Sequence, residues 1–297
     1  MVRDILSDDV ALVRRFNRTV TERVGALKES FLGRGRPLGA SRLLWEIGEG
    51  SAELHELRGR LGLDSGYASR LVRRLEAEGL IVAVASPDRR RRRLRLTDAG
   101  LAESRELDRL SNGFAESLLE GVPTDHRRRL LAAMAEVERL LRSALVEIGV
   151  EDPRHPDVLR CFARYAEELD ERFEGGFDTN KSISAEPKEL TPPAGYCVVA
   201  RLRGLPIGCG ALKLHGLAPA EIKKMWVDPG SRGLGVGRRI LESLERLARE
   251  NGVTVLRLET NRVLGEAIGL YRKAGFEEVA SFNDEPHAHH WFEKTLP

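Results

Sequence analysis

Apolar residues recur at three- and four-residue spacing over 8–31. Val10, Val13, Phe16, Val20, Val24 and Leu27 fall on one stripe, which predicts a helix. Gly33, Gly35 and Pro37 break that pattern, and a second helix follows around 40–48, before Glu49-Gly50. Ser51 is placed to cap a third helix carrying Leu54, Leu57 and Leu61 on one face. Gly62-Leu63 makes a tight turn. Asp64 can then cap a fourth helix that buries Ala68, Leu71 and Leu75, runs to Glu78 and stops at Gly79. Two short strands, near 80–84 and 93–96, flank Ser86-Pro87-Asp88 and five consecutive arginines. Thr97 can cap a long helix to about 120. After Pro123-Thr124 a further amphipathic helix carries Leu130, Met134, Val137, Leu141 and Leu145.

The period then changes. Residues 149–156, Gly149 to Pro156, hold two prolines and read as a linker between a domain at 1–148 and another at 157–297. The second part alternates: a helix at 157–173, a loop at 174–194, strands near 196–203, 207–215 and 221–228, and a helix at 235–250. A strand at 253–260, a helix at 262–274 and closing strands near 276–282 and 288–295 complete it. The expected fold class is therefore a mainly α winged helix-turn-helix followed by an α/β domain on a central mixed sheet.

Charge sharpens the division. Residues 1–150 hold 27 Lys+Arg against 23 Asp+Glu, whereas 151–297 hold 21 against 23. Within 58–95 there are 11 arginines against Asp64, Glu76, Glu78 and Asp88, the electrostatic footprint of a site for a polyanion. A solvated basic face is the alternative that composition leaves open. No apolar run approaches the roughly 20 residues of a membrane span, and MVRDILSDDV carries charges where a secretion signal would be apolar. Cys161, Cys197 and Cys209 cannot pair completely and lack metal-ligand spacing, so a cytoplasmic protein without a metal is expected.

Two helices joined by a short turn and followed by an arginine-tipped hairpin form the physical plan of a winged helix. Its second helix can enter a major groove while the wing reaches the minor groove. RLVRRLEAEGLI (70–81) followed by DRRRRRLRLTDAG (88–100) resembles the MarR family of regulators. The resemblance implies a homodimer on double-stranded operator DNA, with the flanking helices as dimer interface. It places Ser65, Gly66, Ser69, Arg70 and Arg73 at or near the groove and Arg90 at the wing tip.

The sharpest motif is Arg232-Gly233-Leu234-Gly235-Val236-Gly237, with Arg238 after it, between the strand EIKKMWVDP and a helix. Glycines there let backbone N–H groups approach a pyrophosphate, and the helix adds its positive end. A Rossmann site would want another glycine spacing, near the start of its domain, and an acidic residue about 20 positions on. Glu259 lies near that distance, but the glycines do not fit. After VTVLRLET (253–260) comes a helix ending at Tyr271 and followed by Gly275-Phe276. Together with the glycine loop this resembles the GNAT superfamily of N-acetyltransferases over roughly 157–297.

That resemblance implies acetyl-CoA as co-substrate and an amine as acceptor. The loop would bind pyrophosphate, and the strand edge Met225, Trp226 and Val227 would pair with the pantetheine arm. The Val227 N–H would serve as oxyanion donor, Tyr271 as general acid and Glu221 as general base. Tyr271 as a packed aromatic and Glu221 as a structural carboxylate remain alternatives. The superfamily often has an asparagine where this chain has Leu264, with Asn261 upstream. His287, His289 and His290 sit in a strand-like stretch, more naturally beside the acceptor than around a metal, and 172–190 is expected to cover the acceptor pocket. The expected whole is a DNA-binding regulator that also acetylates an amine. A repressor that only senses acetyl-CoA, and an acetyltransferase whose winged helix only dimerises, are the rivals.

Overall fold

The chain divides into two units between Ala133 and Met134. The computed structural model describes residues 7–48, 51–84, 92–178, 181–183, 185–216 and 218–297.

In the first unit α1 (Ser7–Arg23) carries its predicted stripe on the outside: Val10, Val13, Phe16 and Val20 are exposed and none of its residues is buried. The helix ends at Arg23 rather than near 31 because Gly25 turns the backbone to φ 65°. α2 (Leu38–Ile47) buries Leu43, Leu44 and Ile47. Ser51 is not a helix cap. Residues Ser51–Glu53 are extended as β1 and pair antiparallel with β3 (Arg93–Leu96), Ser51 opposite Arg95, so ladder bonds hold the backbone that a cap would have started. α3 (Leu54–Leu61) follows, and Gly62 ends it in the left-handed region.

The Asp64 side chain accepts from the Tyr67 N–H at 2.8 Å and starts α4 (Ser65–Ala77), whose inner face is Ala68, Leu71, Val72 and Leu75. β2 (Ile81–Val84) completes a sheet of order β1-β3-β2. Thr97 caps α5 (Asp98–Glu120) as expected, accepting from the Gly100 N–H at 3.0 Å. A Cβ on Gly100 would sit 2.0 Å from the Leu80 carbonyl oxygen, so glycine is what lets α5 start against the strand. α6 (Thr124–Ala144) buries no residue.

The second unit begins within α6. Residues 149–151, expected in a linker, belong instead to β4 (Val146–Glu151), which pairs antiparallel with β5 (Gly195–Leu202), Ile148 opposite Ala200. The two prolines fall after the strand and lead into α7 (Pro156–Arg172), where proline is tolerated in the first turn. β6 (Leu205–His215), β7 (Ala218–Val227), α8 (Val236–Glu250), β8 (Val255–Thr260), α9 (Gly265–Lys273), β9 (Glu277–Val279) and β10 (His290–Thr295) follow. They give a mixed seven-stranded sheet of order β4-β5-β6-β7-β8-β10-β9. Ile240, Leu241, Leu244 and Ala248 of α8 bury one side of the helix in the main core with Leu212, Ile222, Leu256 and Phe292. Among the described residues no helix is long and apolar enough to cross a membrane.

One junction of the sheet positions the site. β7 and β8 are the parallel neighbours, joined among the described residues at Ala220 opposite Leu256 and Glu221 opposite Arg257. Directly afterwards β7 carries a bulge: Cys209 faces Trp226 and Ala211 faces Lys223, so Lys224 and Met225 share one partner position, with Lys224 at φ 53°. A bulge bends its strand and increases its twist. β7 therefore parts from β8, and the carboxyl ends of the two strands open into a wedge.

Candidate functional site

A cavity of about 210 Å³ lies in this wedge. β7 contributes Lys223, Lys224 and Met225, β8 contributes Glu259, and α9 contributes Tyr271, with Phe162 and Tyr165 of α7 opposite. Phe173, Phe177, Ser182 and Ile183 also line it, so the described part of 172–190 covers the cavity as the sequence suggests.

Tyr271 is buried, with its ring centroid 6.0 Å from Phe276 and 6.1 Å from Phe292. Burial, reinforced by the Glu259 carboxylate, pushes its phenol well above the ordinary range, so the proton stays on the oxygen at neutral pH. Burial also raises the Glu259 carboxyl, against the opposing pull of Lys223, whose Nζ lies 2.5 Å from it. Lys223 reaches Glu221 as well, at 2.8 Å. Burial lowers the pKa of its ammonium, but the two carboxylates outweigh it and the net shift is upward. Glu221, the carboxylate singled out from spacing, accepts from His215 at 2.9 Å and is not part of the cavity wall. Burial would raise it, yet Lys223 and His215 bring it below the ordinary carboxylate range.

The glycine loop leaves β7 beside the same wedge. Gly233 and Gly235 have φ of 81° and 75°, and Gly235 caps α8 with no side chain in the way. Leu234 and Val236 are buried and anchor the loop between the glycines. A Cβ on Gly237 would stand 3.3 Å from Leu270 Cδ2 and 3.6 Å from Val227 Cγ2, so the first turn of α8 is packed close to β7 and α9. Arg232 donates through Nε to the Val227 carbonyl at 3.1 Å and through Nη2 to Glu168 at 2.6 Å. Trp226 is buried, and its Nε1 donates to the same Glu168 carboxylate at 2.9 Å. Arg238 lies outside, paired with Glu242 at 2.8 Å. The Asp228 N–H donates to the Ile207 carbonyl, and strand alternation then turns the Val227 N–H toward the opposite edge of β7. Burial places Met225 against the main core, on the cavity wall.

The back of the loop is held from α6. Ser143 Oγ donates to the Leu234 carbonyl at 2.9 Å, and Arg139 approaches the Gly233 carbonyl at 3.4 Å. In return Arg239 donates to the carbonyls of Ser143 and Val146, at 3.0 and 2.8 Å. With its carbonyls engaged behind, the loop is left to present N–H groups in front.

In the first unit Ser65, Gly66, Arg70 and Arg73 are exposed and Ser69 half-buried, and Gly66, Arg70 and Arg73 lie on the side of α4 opposite its apolar face. The Arg70 guanidinium lies 5.6 Å from the Tyr67 ring centroid, and Arg73 Nε reaches the Ser69 carbonyl at 3.4 Å. Arg74 and Arg92 are instead paired, with Glu78 and Glu76. Arg90 lies outside the described residues.

Residues 193–278 match the family model described as acetyltransferase (GNAT) domain, and residues 34–92 match that of the MarR family. The IAA acetyltransferase of Azospirillum brasilense is 34% identical over 138 residues, 46% of this chain and 88% of that protein. The chain belongs to the GNAT acetyltransferases. Ahead of the GNAT domain it carries a MarR-family domain. Among solved structures, a GNAT-family acetyltransferase from Staphylococcus aureus has a TM-score of 0.43 at 17% identity, covering 51% of this chain and 99% of that one. A MarR mutant from Escherichia coli complexed with operator DNA has a TM-score of 0.38 at 20% identity, covering 45% and 98%.

Within the GNAT domain the wedge brings together Tyr271, Met225 and a carboxylate that spacing did not select, Glu259. Its signal was present: an ionisable residue near the carboxyl end of a strand, twelve positions before the tyrosine. His287 lines the cavity too, whereas His290 pairs with Glu278 and His289 is exposed.

Proposed function

We propose that the GNAT domain transfers an acetyl group from acetyl-CoA to a primary amine, and that the MarR-family domain binds double-stranded operator DNA as a homodimer. One observation carries the first half: Tyr271, a buried protonated phenol, and Glu259 line one cavity where β7 parts from β8 beside the glycine loop. The loop suits a pyrophosphate because its positive-φ glycines leave no Cβ in front and α8 adds its positive end. Arg232 supplies a guanidinium at the same place.

The amine must lose a proton before it attacks the thioester. Glu259 takes that proton, and its raised pKa brings it closer to the amine it serves. This assignment replaces Glu221, whose part is to hold Lys223 from the other side. The Val227 N–H donates to the oxygen on which negative charge develops. Tyr271 gives its proton to the departing thiolate.

For the MarR-family domain, Ser65, Gly66, Ser69, Arg70 and Arg73 present the exposed part of α4 to the major groove. The homodimer is supported by α1 and α6. Neither has a buried residue, yet Val13, Phe16, Met134 and Leu141 are all exposed along them. Helices in proteins are stabilised mostly by packing of an apolar face, and a second copy supplies the surface that these faces lack.

Thiol release from acetyl-CoA across a panel of amines tests the first half. Turnover with at least one acceptor, lost in Tyr271→Phe, is the expected result; tight acetyl-CoA binding without turnover would assign a sensor instead. Sedimentation and salt-dependent binding to duplex DNA test the second.

A further inference from the structure

Lys223 stands between two carboxylates. Its Nζ lies 2.8 Å from Glu221 Oε2 and 2.5 Å from Glu259 Oε1, and the side chains of Lys223 and Glu259 are 7% and 9% exposed. A buried charge that loses its partner is strongly disfavoured. With Glu259 as its one counter-ion, this ammonium would hold that carboxylate ionised and make it a poor acceptor of protons.

The second carboxylate removes that difficulty. When Glu259 is protonated, Glu221 keeps Lys223 paired, and the trio passes from one net negative charge to none. Burial acts to raise both carboxyls, but Lys223 and His215 bring Glu221 below the ordinary range, whereas Glu259 stays above it. His215 Nε2 meets the outer oxygen of Glu221, Oε1, at 2.9 Å. Two carboxylates on one cation therefore titrate apart, with Glu221 ionised while Glu259 changes state.

The surroundings leave that trio in charge of the local field. Burial holds Tyr165 of α7 and Tyr271 of α9 protonated, and Asn283, which donates to Glu259 at 3.5 Å, is uncharged. Arg257, two residues earlier on β8, pairs with Glu293 at 2.7 Å, and the Lys224 ammonium lies 5.0 Å from the Phe162 ring centroid.

We propose that Glu221 is a positioning residue for the reaction: as second counter-ion of Lys223, it lets Glu259 take up and release a proton without stranding a buried ammonium. The inference rests on the acetyl-transfer reading and gives Glu221 its part in it. In the step concerned an N–H bond of the acceptor ammonium breaks, its electron pair stays on nitrogen, and an O–H bond forms on Glu259. Lys223 keeps its protons throughout and Glu221 gains none.

The pH profile of kcat/KM tests this, together with a carboxyl-carbon NMR titration of Glu259 in the full chain, assigned from Glu259→Gln. Glu221→Gln keeps the shape and removes the charge. Lys223 then acts on Glu259 alone, so the acid limb should move down by about one pH unit. The weaker base should cost about three- to tenfold in limiting kcat/KM. Glu221→Asp changes the shape and keeps the charge, and should bring the limb back toward its wild-type position. Lys223→Met should move it the other way, up by about 1–3 pH units. A limb that stays in place or rises in Glu221→Gln, or falls equally in Glu221→Asp, overturns the proposal. If no amine gives thiol release, acetyl transfer is refuted and the NMR titration still decides. A lower Glu259 midpoint in Glu221→Gln upholds the counter-ion role, and an unmoved one overturns it.

Discussion

The two units use charge in opposite ways. In the C-terminal unit the ionisable groups that matter are inside: Lys223, Glu259 and Tyr271 lie within the fold, burial raises Glu259 and Tyr271, and at Lys223 the paired carboxylates overcome it. In the N-terminal unit the cations on α4 stand in solvent, and the apolar residues of α1 are outside with them. The first arrangement makes proton transfer feasible by removing water. The second makes long-range attraction to a polyanion feasible by keeping water, at the cost of strong screening. A perturbation should therefore act on one unit through local contacts and on the other through ionic strength.

The largest expected effect is in the buried unit. Tyr271→Phe should lower kcat by about 10²–10⁴-fold, with acetyl-CoA affinity nearly unchanged by calorimetry. An unaltered kcat would make Tyr271 a packing residue. Glu259→Gln should cost about 10²-fold in kcat/KM and also change the pH profile. The carboxylate works only when ionised, so activity falls as pH drops through its pKa, and burial sets that limb above the ordinary carboxylate range. The substitution removes the limb; Glu221→Gln should keep it, and the reverse outcome would return the base to Glu221.

The exposed unit is tested by Arg70→Ala. A change of about 1–3 kcal/mol in operator affinity is expected, with acetyl-CoA affinity untouched and binding weakening steeply with salt throughout. Salt-independent binding would break the contrast between the units. The smallest effect belongs to Ser143→Ala, which loses one hydrogen bond behind the glycine loop. KM for acetyl-CoA should rise about two- to tenfold at constant kcat, and Ser143→Thr should restore it.

Features set by neighbours in sequence were legible without the structure. Asp64 and Thr97 cap helices, and the glycine loop joins β7 to α8, because caps and tight turns are decided by a few adjacent residues. Features set by pairing were not. β1 is three residues, Ser-Ala-Glu, with no apolar alternation; it is a strand because β3 runs alongside it. β4 does alternate, with Val146, Ile148 and Val150, but Gly149 and the nearby prolines signal a connection just as strongly. That Glu259 and not Glu221 lines the cavity was illegible for the same reason. Glu221 stands opposite Arg257 in the last β7–β8 pair and Glu259 lies two residues beyond it, past the bulge, where the strands have parted.

That junction has a thermodynamic side as well. Among the described residues two pairs tie β4–β7 to β8–β10 along the strand ladder, so the sheet is two half-sheets with a seam left partly unsewn. On the proposed reading the amide-bearing arm of acetyl-CoA lies along the open edge of β7 and stands in for the missing stretch of strand. The co-substrate is then a structural element of its own enzyme. At a hundredfold excess over its dissociation constant it adds about 2.7 kcal/mol to the folded state. On that reading the fold is most complete with acetyl-CoA bound, and release of coenzyme A unpicks a piece of its sheet.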